Sequence, residues 1–467
     1  MVKASSSRLE SQFISKSAVC YPESCSNSEV EEESSSTCSL SGSADEESLG
    51  KTIRNRLGCF SDIPDSIWND WKWHFRNRIT SVEQLAQFIP LSPEEQADLS
   101  LVTMRYPLSI TPHYLSLINP YDPHDPIRKQ SVPSILEMTM SSMGVEDPLE
   151  EKKASVVPGL VYRYPDRVLM VLTDICPMLC RHCTRKREWR NGGWVRTAAE
   201  VEAMLGYIRQ HKAVRDVIIS GGDPLTLSTR RLEDIISRIR KISHVEIIRI
   251  GTRYPVVLPQ RIDSELCHML AKYGPIWLNT HFNHVREITP ESTAACDRLL
   301  RSGVPVNNQT VLLRGVNDSV EVQTALSHGL LKAKVRPYYL HQCDEVQGTE
   351  HLRTPVEVGI KIIKGMCGHT SGLAVPNFMI DLSHGGGKVP IQPNYVLARN
   401  EDELVLRNYD GSIFHYRNPG KLACPEPPAG VLSSVSETAV RLPDGAFEEY
   451  DSSETTELIA SALEAEG

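Results

Sequence analysis

In the stretch Leu172-Thr173-Asp174-Ile175-Cys176-Pro177-Met178-Leu179-Cys180-Arg181-His182-Cys183, three cysteines stand at C-x3-C-x2-C spacing. The stretch directly follows residues 168–172, an aliphatic run that predicts a β-strand. Three thiolates on a loop that leaves a strand can bind three irons of a cubane 4Fe–4S cluster. Because no fourth cysteine stands beside them, one iron is left open for an outside ligand.

Two other interpretations of the cysteines remain open at this point. A zinc site needs a fourth cysteine or histidine at short range. His182 is available, but it stands between two of the thiolates, where its reach is poor. Chance clustering of buried cysteines is the other alternative. The position directly after a predicted strand favours the iron–sulfur cluster.

Short β-branched runs alternate with amphipathic helical segments through the middle of the chain. The segments 198–210 and 231–242 have helical periodicity. About six β-then-α units predict an α/β fold with a parallel sheet, either open or curled into a partial (βα)6 barrel. In such folds the chemistry lies at the carboxyl ends of the strands. The predicted strands cover residues 168–172, 217–219, 245–250, 276–279, 306–313 and 335–340.

The region before this alternating pattern predicts helices and a wrapping connection. Aromatic residues at helical spacing occur between Trp68 and Trp73, and they are expected to pack in the core. Thr80-Ser81-Val82-Glu83 predicts a helix start. Prolines crowd residues 112–133, which predicts an extended segment.

Composition limits the possible functions. The 467-residue chain has a net charge of −9, which argues against a broad nucleic-acid surface. No apolar run approaches the ~20 residues that span a bilayer, and the sequence begins without a secretory leader. Its 12 cysteines are scattered rather than dense, so metal ligation or free thiols in a reducing cytoplasm are favoured over disulfides.

Both ends of the chain have compositions that cannot bury a core. Residues 1–50 are serine-rich with an acidic run at Glu31–Glu33, which predicts a disordered tail. An organellar transit peptide is the competing idea, but such peptides avoid acidic residues. The predicted organisation is a tail (1–50), a helical and wrapping region (51–160), a partial barrel (161–375), a lysine loop with a C-terminal region (376–424), and an acidic, partly disordered tail (425–467).

Two glycine-rich segments are candidate ligand sites. Ser220-Gly221-Gly222-Asp223-Pro224 follows the second predicted strand, where glycines allow a ligand to approach the backbone, although an ordinary turn has the same residues. In Gly385-Gly386-Gly387-Lys388-Val389 the lysine is not followed by Ser or Thr, which excludes a Walker A loop. A neutral lysine amine can form a Schiff base with pyridoxal phosphate (PLP); a solvated loop lysine is the alternative.

Taken together, these segments resemble the lysine 2,3-aminomutase family, which pairs a radical S-adenosylmethionine (SAM) cluster with PLP. The resemblance extends from about Trp68 to Tyr395. Besides the segments quoted above, it includes Trp68-Asn69-Asp70-Trp71-Lys72-Trp73, Asp125-Pro126-Ile127-Arg128-Lys129-Gln130, Tyr162-Arg163-Tyr164-Pro165-Asp166-Arg167, Leu313-Arg314-Gly315-Val316-Asn317-Asp318, Arg336-Pro337-Tyr338-Tyr339 and Gly368-His369-Thr370-Ser371-Gly372.

The resemblance implies a role for each matching residue. It implies that Cys176, Cys180 and Cys183 bind the cluster, that Lys388 forms the Schiff base with PLP, and that Arg185 engages the substrate carboxylate. A planar guanidinium suits that bidentate role. Residues expected in the PLP pocket are Arg163, His182 and Gln309, and residues expected to contact SAM are Ser220, Gly221, Gly222, Asp223 and His281.

Two carboxylates are expected to decide the substrate. By the same resemblance, Asp344 and Asp381 grip the distal ammonium of lysine, because two acids in one desolvated pocket require a cation between them. The implied activity is migration of the α-amino group of L-lysine to the β-carbon, giving β-lysine. Arginine is the first alternative substrate and glutamate a weaker one. A non-catalytic iron–sulfur protein is the alternative of another class, and it would leave Lys388 and Arg185 unexplained.

One departure from the family concerns a structural zinc held by four cysteines. Ser319 follows Asn317-Asp318, and the tail keeps only Cys424 in the matching neighbourhood. The expectation is that this zinc is absent, which puts the family's usual tetramer in doubt. A homo-oligomer and a flavodoxin- or ferredoxin-type electron donor are nevertheless expected partners, with no membrane or nucleic-acid partner.

Overall fold

The computed structural model describes residues 60–140, 144–190 and 192–418. The predictions for the two terminal tails, residues 1–50 and 425–467, lie outside these residues. The first residues of the predicted helical and wrapping region, 51–59, lie outside them as well.

A sheet of ten strands forms the centre of the fold, in the order β1 to β10. The strands from β3 to β9 run parallel, whereas β1, β2 and β10 are antiparallel to their neighbours. Residues from β2 to β10 line one cavity, so the sheet curves around it. The strands are β1 (Ser155–Val157), β2 (Leu160–Tyr164), β3 (Arg167–Val171), β4 (Asp216–Ser220), β5 (Ile247–Gly251), β6 (Ile276–Thr280), β7 (Val306–Leu312), β8 (Arg336–Gln342), β9 (Asn377–Leu382) and β10 (Gly387–Pro390).

This architecture confirms the predicted α/β class with a mostly parallel sheet. All six predicted strands are present as β3 to β8, with bounds that differ by at most two residues. Helix α8 (Ala198–Gln210) has the bounds that its periodicity predicts, because Thr197 and Glu200 form a capping box at its start. Helix α9 (Thr229–Arg240) begins two residues before its prediction, where the Ser228 side chain accepts a hydrogen bond from the backbone of Arg231.

One group of helices, α1 to α7, precedes the sheet in the chain, and a second group, α8 to α14, lies between its parallel strands. Those between and after the parallel strands bury aliphatic residues against it; on α9, for example, Leu232, Ile236 and Ile239 are buried. The remaining helices are α1 (Asp65–Trp68), α2 (Trp71–Arg76), α3 (Val82–Leu85), α4 (Pro93–Arg105), α5 (Pro112–Leu115), α6 (Pro126–Ser131), α7 (Leu136–Thr139), α10 (Tyr254–Val257), α11 (Ser264–Ala271), α12 (Pro290–Arg301), α13 (Val320–Lys332) and α14 (Val356–Met366).

The N-terminal region differs from its prediction in two places. Asp70 caps the start of α2 by accepting a hydrogen bond from the backbone of Lys72, and this divides the tryptophan-rich segment into two short helices. Residues 112–133 are not uniformly extended, since α5 and α6 lie within them. The prolines at the starts of these helices, Pro112 and Pro126, occupy the first helical position, where the missing N–H has no cost.

Two features complete the described part of the chain. Ser319 follows Asn317-Asp318 and is the residue from which the absence of the family's structural zinc was predicted. Its side chain caps α13 by accepting a hydrogen bond from the backbone of Val322. After the ten-stranded sheet, a separate antiparallel sheet consists of β11 (Val396–Arg399), β12 (Glu403–Arg407) and β13 (Ile413–Arg417).

Candidate active site

One central cavity of about 750 Å³ lies inside the curved sheet. Every candidate residue named from the sequence except Gly221 lines it, including the three cysteines, Lys388 and the two acids. The residues come from loops after β3, β4, β6 and β8 and from β2, β4, β7, β9 and β10 themselves. The cysteines, His281 and Asp344 follow the carboxyl ends of parallel strands as expected, although the cavity also reaches the amino ends of β4, β5 and β8.

Cys176, Cys180 and Cys183 are free, half-buried thiols that face the central cavity. Burial raises the pKa of the Cys183 thiol to about 11, and the nearby Cys180 sulfur adds to the rise. Burial, together with the Asp223 carboxylate, raises the pKa of the Cys176 thiol well above its ordinary value. Within residues 60–140, 144–190 and 192–418, no three His, Cys, Asp or Glu side chains form a group that could hold a single metal ion. A cubane cluster does not require three ligands close to one metal ion, because each thiolate binds a different iron atom.

The cysteine loop is held from the N-terminal side by backbone hydrogen bonds. The N–H of Leu179 donates to the carbonyl of Ser109 at 3.0 Å, and the N–H of Arg181 donates to the carbonyl of Gln130 at 2.9 Å. The Arg181 side chain is fully buried and pairs with the buried carboxylate of Glu137. The loop therefore depends on the region before the barrel for its conformation.

The glycines after β4 have a packing role that explains their identity. A Cβ added to Gly221 would lie 2.5 Å from the carbonyl oxygen of Thr173, and one added to Gly222 would lie 2.5 Å from the backbone of Asp174. Asp223 continues this contact, since its N–H donates to the carbonyl of Ile175 at 2.9 Å. The Gly-Gly-Asp segment thus fixes the start of the cysteine loop by close backbone approach.

Arg253, which sequence reasoning missed, links the cysteine loop to a buried polar network. Its Nη1 donates a hydrogen bond to Cys180 Sγ at 2.9 Å, while its Nη2 lies 2.6 Å from Glu287 Oε1 and 2.7 Å from Gln130 Oε1. Its Nε donates to the carbonyl of His281 at 3.0 Å. The available signal was its place two residues after the end of β5, at the functional edge of the sheet.

Lys388 and Asp381 lie directly opposite each other in the hairpin of β9 and β10. The Lys388 ammonium forms an ion pair with Asp381 Oδ2. Asp344 follows β8, and burial raises its pKa to about 7, with the neighbouring Asp381 carboxylate adding to the rise. The structure thus brings the predicted acid pair together, and one member already binds a cation supplied by the protein.

Arg185 has a partner that sequence reasoning also missed. Its guanidinium binds the Glu151 carboxylate through two donors, with Nε at 2.9 Å from Oε2 and Nη2 at 2.7 Å from Oε1. Its Nη1 donates to the carbonyl of Gly221 at 2.9 Å. The residue expected to bind a substrate carboxylate therefore holds a carboxylate of the protein itself.

The remaining predicted residues lie around the cavity as polar, mostly uncharged groups. Burial lowers the pKa of His281 to about 4 and holds that of His182 well below its ordinary value, so both imidazoles are neutral at pH 7. His341, absent from the sequence-based set, behaves in the same way. Arg163 donates from Nη2 to the carbonyl of Leu149.

Comparison with known proteins connects this site to a family. The radical SAM superfamily model matches residues 170–325, and the lysine-2,3-aminomutase C-terminal model matches residues 363–457. L-lysine 2,3-aminomutase of Clostridium subterminale is 52% identical over 79% of this chain and 88% of its own length. The chain belongs to the lysine 2,3-aminomutase family. The enzyme of the same name from Bacillus subtilis is 48% identical, over 77% of this chain and 76% of its own.

Membership in the lysine 2,3-aminomutase family fixes the general chemistry. The radical SAM superfamily uses a 4Fe–4S cluster and SAM, and an aminomutase is an isomerase that acts on an amino acid. Glutamate 2,3-aminomutase of Clostridioides difficile is a more distant relative, 39% identical over 79% of this chain and 87% of its own. In the described segments no helix has the length and apolarity needed to cross a membrane.

Proposed function

We propose that this protein is an L-lysine 2,3-aminomutase that moves the α-amino group of lysine to the β-carbon and so forms β-lysine. The observation that carries the proposal is the convergence of three groups on one cavity: the cysteine triad, Lys388, and the acid pair Asp344 and Asp381. A non-catalytic iron–sulfur protein would require the triad alone. The lysine-acting relatives at 52% and 48% identity support the same substrate.

Cys176, Cys180 and Cys183 are the proposed ligands of the 4Fe–4S cluster. Burial raises the pKa of the Cys176 and Cys183 thiols, and a bound metal would offset this effect because its positive charge stabilises the thiolates. Arg253 adds a hydrogen bond to the Cys180 sulfur. The proposed SAM contacts are the segment from Ser220 to Asp223 and His281, residues that, Gly221 aside, line the same cavity as the three cysteines.

The residues around Lys388 fit PLP. Lys388 Nζ reaches the cavity, and across the described part of the chain the buried Arg163 Nε and His182 Nδ1 have no hydrogen-bond partner. Buried polar atoms without partners are costly, and an anionic, acceptor-rich cofactor supplies partners for both. Gln309 lies on the same wall. When bound, the cluster with SAM supplies hydrogen-atom abstraction at an unactivated carbon, and PLP supplies the aldehyde that holds the migrating amino group.

The charged ends of the cavity orient lysine between them. Asp344 and Asp381 bind the distal ammonium, because two neighbouring buried carboxylates are stable only with a cation. Arg185 binds the carboxylate at the other end. Glutamate would place a third carboxylate against the acid pair, so repulsion disfavours it. Arginine carries the required cation, and it is the second candidate substrate.

Product analysis under anaerobic conditions tests the proposal. The reconstituted protein is incubated with SAM, PLP, a reductant and lysine, arginine or glutamate in separate reactions. We expect β-lysine from lysine, with much less or no product from the other two. Conversion of arginine alone would move the assignment to an arginine mutase. A bound cluster without turnover of any of the three would favour the non-catalytic alternative.

Four further properties are not tested by the structure or by the comparisons. The seven cysteines that the structure describes as free thiols support a reducing compartment, and we propose the cytoplasm. A flavodoxin- or ferredoxin-type protein is the proposed electron donor. The homo-oligomeric state and the domain bounds predicted from the sequence stay predictions.

A further inference from the structure

The carboxylate of Glu151 occupies the position on Arg185 where an amino-acid carboxylate is expected. Both partners line the central cavity, and their side chains are 12% and 18% exposed, so solvent screens the pair little. Burial opposes ionisation of Glu151, but the guanidinium of Arg185 and then that of Arg187 outweigh it and lower the pKa of Glu151 to about 2. Glu151 is therefore a charged carboxylate on the cavity wall.

Arg185 is held in place by contacts other than Glu151. Its Nη1 donates to the carbonyl of Gly221 at 2.9 Å and lies 3.4 Å from Ser220 Oγ, so the end of β4 fixes one edge of the guanidinium. The opposite edge, formed by Nε and Nη2, is the one that Glu151 covers. If Glu151 leaves, this edge faces the cavity with its geometry unchanged and can accept another bidentate carboxylate.

Glu151 already contacts a second arginine, Arg187, which can neutralise its carboxylate. Arg187 Nη2 lies 2.9 Å from Glu151 Oε2, and Arg187 also pairs with Asp147 at 3.2 Å. A buried carboxylate that lost its only cation would be strongly unfavourable. Because Oε2 is shared between the two arginines, a small movement toward Arg187 keeps the charge paired. Displacement from Arg185 is therefore feasible.

The segment that carries Glu151 also contacts the lysine loop. The Asp147 side chain accepts hydrogen bonds from the backbone of Glu151 and Lys152, which forms a compact turn before β1. The carbonyl of Pro148 in this turn accepts a hydrogen bond from the backbone of His384 at 3.0 Å, in the loop that leads to Lys388. One short segment thus touches both the carboxylate-binding arginine and the lysine loop.

Resting on the proposed function, we propose that Glu151 is an internal carboxylate that pairs with Arg185 before substrate binds and is displaced onto Arg187 by the α-carboxylate of the substrate. The exchange replaces one carboxylate with another and leaves the charge on Arg185 compensated throughout. The exchange makes the site selective for ligands that carry a carboxylate, because only such a ligand can replace Glu151 on Arg185. A diamine that lacks this group meets the same acid pair but leaves Glu151 in place.

The variant Glu151→Gln tests this competition. An amide binds a guanidinium more weakly than a carboxylate does, so we expect KM for lysine to fall about tenfold with kcat changed by less than threefold. Calorimetric binding of lysine to the cluster- and PLP-loaded protein without SAM should tighten by a similar factor. Binding of 1,5-diaminopentane should not change when both ligands are measured near pH 9, because Asp344, whose pKa the nearby Glu151 helps to raise to about 7, is then ionised in both proteins. Glu150→Gln, in the same turn but facing Lys153 and His384, is the matched control and should change neither quantity.

The opposite result overturns the proposal. If Glu151 only orients Arg185, the Gln variant will weaken lysine binding and raise KM. Arg187→Gln gives an independent check. In this variant a displaced Glu151 would have no arginine to pair with. Lysine should therefore bind less tightly, while binding of 1,5-diaminopentane should not change. Equal effects on both ligands would indicate a structural role. Failure of the proposed function appears separately, as an absence of β-lysine from the unmodified protein, and the binding comparison does not depend on turnover.

Discussion

The phenol oxygen of Tyr164, at the end of β2, accepts a hydrogen bond from the backbone N–H of Lys388 in β10 at 2.9 Å. These residues belong to strands eight positions apart in the order of the sheet, so the contact brings its two ends together around the cavity. It also fixes the backbone of the lysine that is proposed to hold PLP. This contact therefore adds to the β9–β10 pairing that positions Lys388.

Tyr164→Phe should loosen Lys388 without removing it. The variant loses one hydrogen bond, which is worth about 0.5–1.5 kcal/mol of folding free energy, and the Lys388 backbone loses its anchor. We expect a weaker PLP–imine absorption band at equal PLP concentration. Tyr162→Phe is the matched control, because its hydroxyl bonds only the nearby Pro165 carbonyl at 2.9 Å. A band that is unchanged in Tyr164→Phe would contradict the anchoring role.

Replacing Cys176, Cys180 or Cys183 with alanine should abolish the cluster. Each thiolate is proposed to bind a different iron, so two remaining ligands should not retain a 4Fe–4S cubane. Iron content after anaerobic reconstitution should fall from about four per chain, and SAM cleavage should stop. Cys367→Ala replaces another half-buried free cysteine that lies outside the cavity and should retain the cluster. An intact cluster in any of the three variants would defeat the assignment.

Lys388→Ala should separate the PLP site from the cluster site. The side chain proposed to form the Schiff base is removed, while the cysteine loop keeps its backbone hydrogen bonds to Ser109 and Gln130. We expect the PLP–imine absorption band to disappear and the absorbance of the cluster to remain. Persistence of the band would place PLP on another lysine.

Asp381→Asn should weaken lysine binding far more than SAM binding. Losing a charge-assisted hydrogen bond costs about 1.5–3 kcal/mol, or roughly 10- to 150-fold in KM. Glu345→Gln changes a neighbouring exposed acid that pairs with Arg353 and should have no such effect. Normal lysine turnover by Asp381→Asn would show that the distal ammonium binds elsewhere.

The pH dependence of kcat/KM for lysine should show the ionisation of Asp344. Its pKa of about 7 results first from burial and then from Asp381, opposed by Lys388 and Arg353. Below that pH the carboxyl is protonated and cannot attract the ammonium, so kcat/KM should rise as pH increases through about 7. Asp344→Asn removes the titrating group and should flatten this limb of the profile. If kcat/KM of Asp344→Asn still rises as pH increases through about 7, the ionisation belongs to another group.

Arg253→Lys should shift the reduction potential of the cluster. The N–H donor to Cys180 Sγ stabilises the more negative, reduced form, so its loss should lower the potential by about 20–60 mV, the equivalent of one hydrogen bond in a one-electron couple. A titration monitored by electron paramagnetic resonance measures this shift. Arg249→Lys, which lies within β5 and is paired with Asp216, is the control. Equal potentials in Arg253→Lys and the unmodified protein would remove Arg253 from this role.

The sequence predicted the sheet well because short runs rich in aliphatic and β-branched residues, such as residues 168–172, alternate with amphipathic helical segments. It placed Cys176 and Asp344 near each other because residues after parallel strands meet at one edge, whereas Lys388, in the antiparallel strand β10, was predicted from its glycine-rich loop and lines the same cavity. The pairing of Glu151 with Arg185 had no such signal. It depends on how a turn before β1 folds across the barrel, and neither periodicity nor spacing reveals that contact.

The backbone bonds from Ser109 and Gln130 to the cysteine loop have a practical consequence for protein engineering. A shortened version beginning at the barrel would keep all three sulfur atoms but lose the scaffold that shapes the segment between them. Transplanting the motif onto another parallel barrel would meet the same obstacle. Any minimal version of this enzyme must therefore carry its leading helices as part of the iron site.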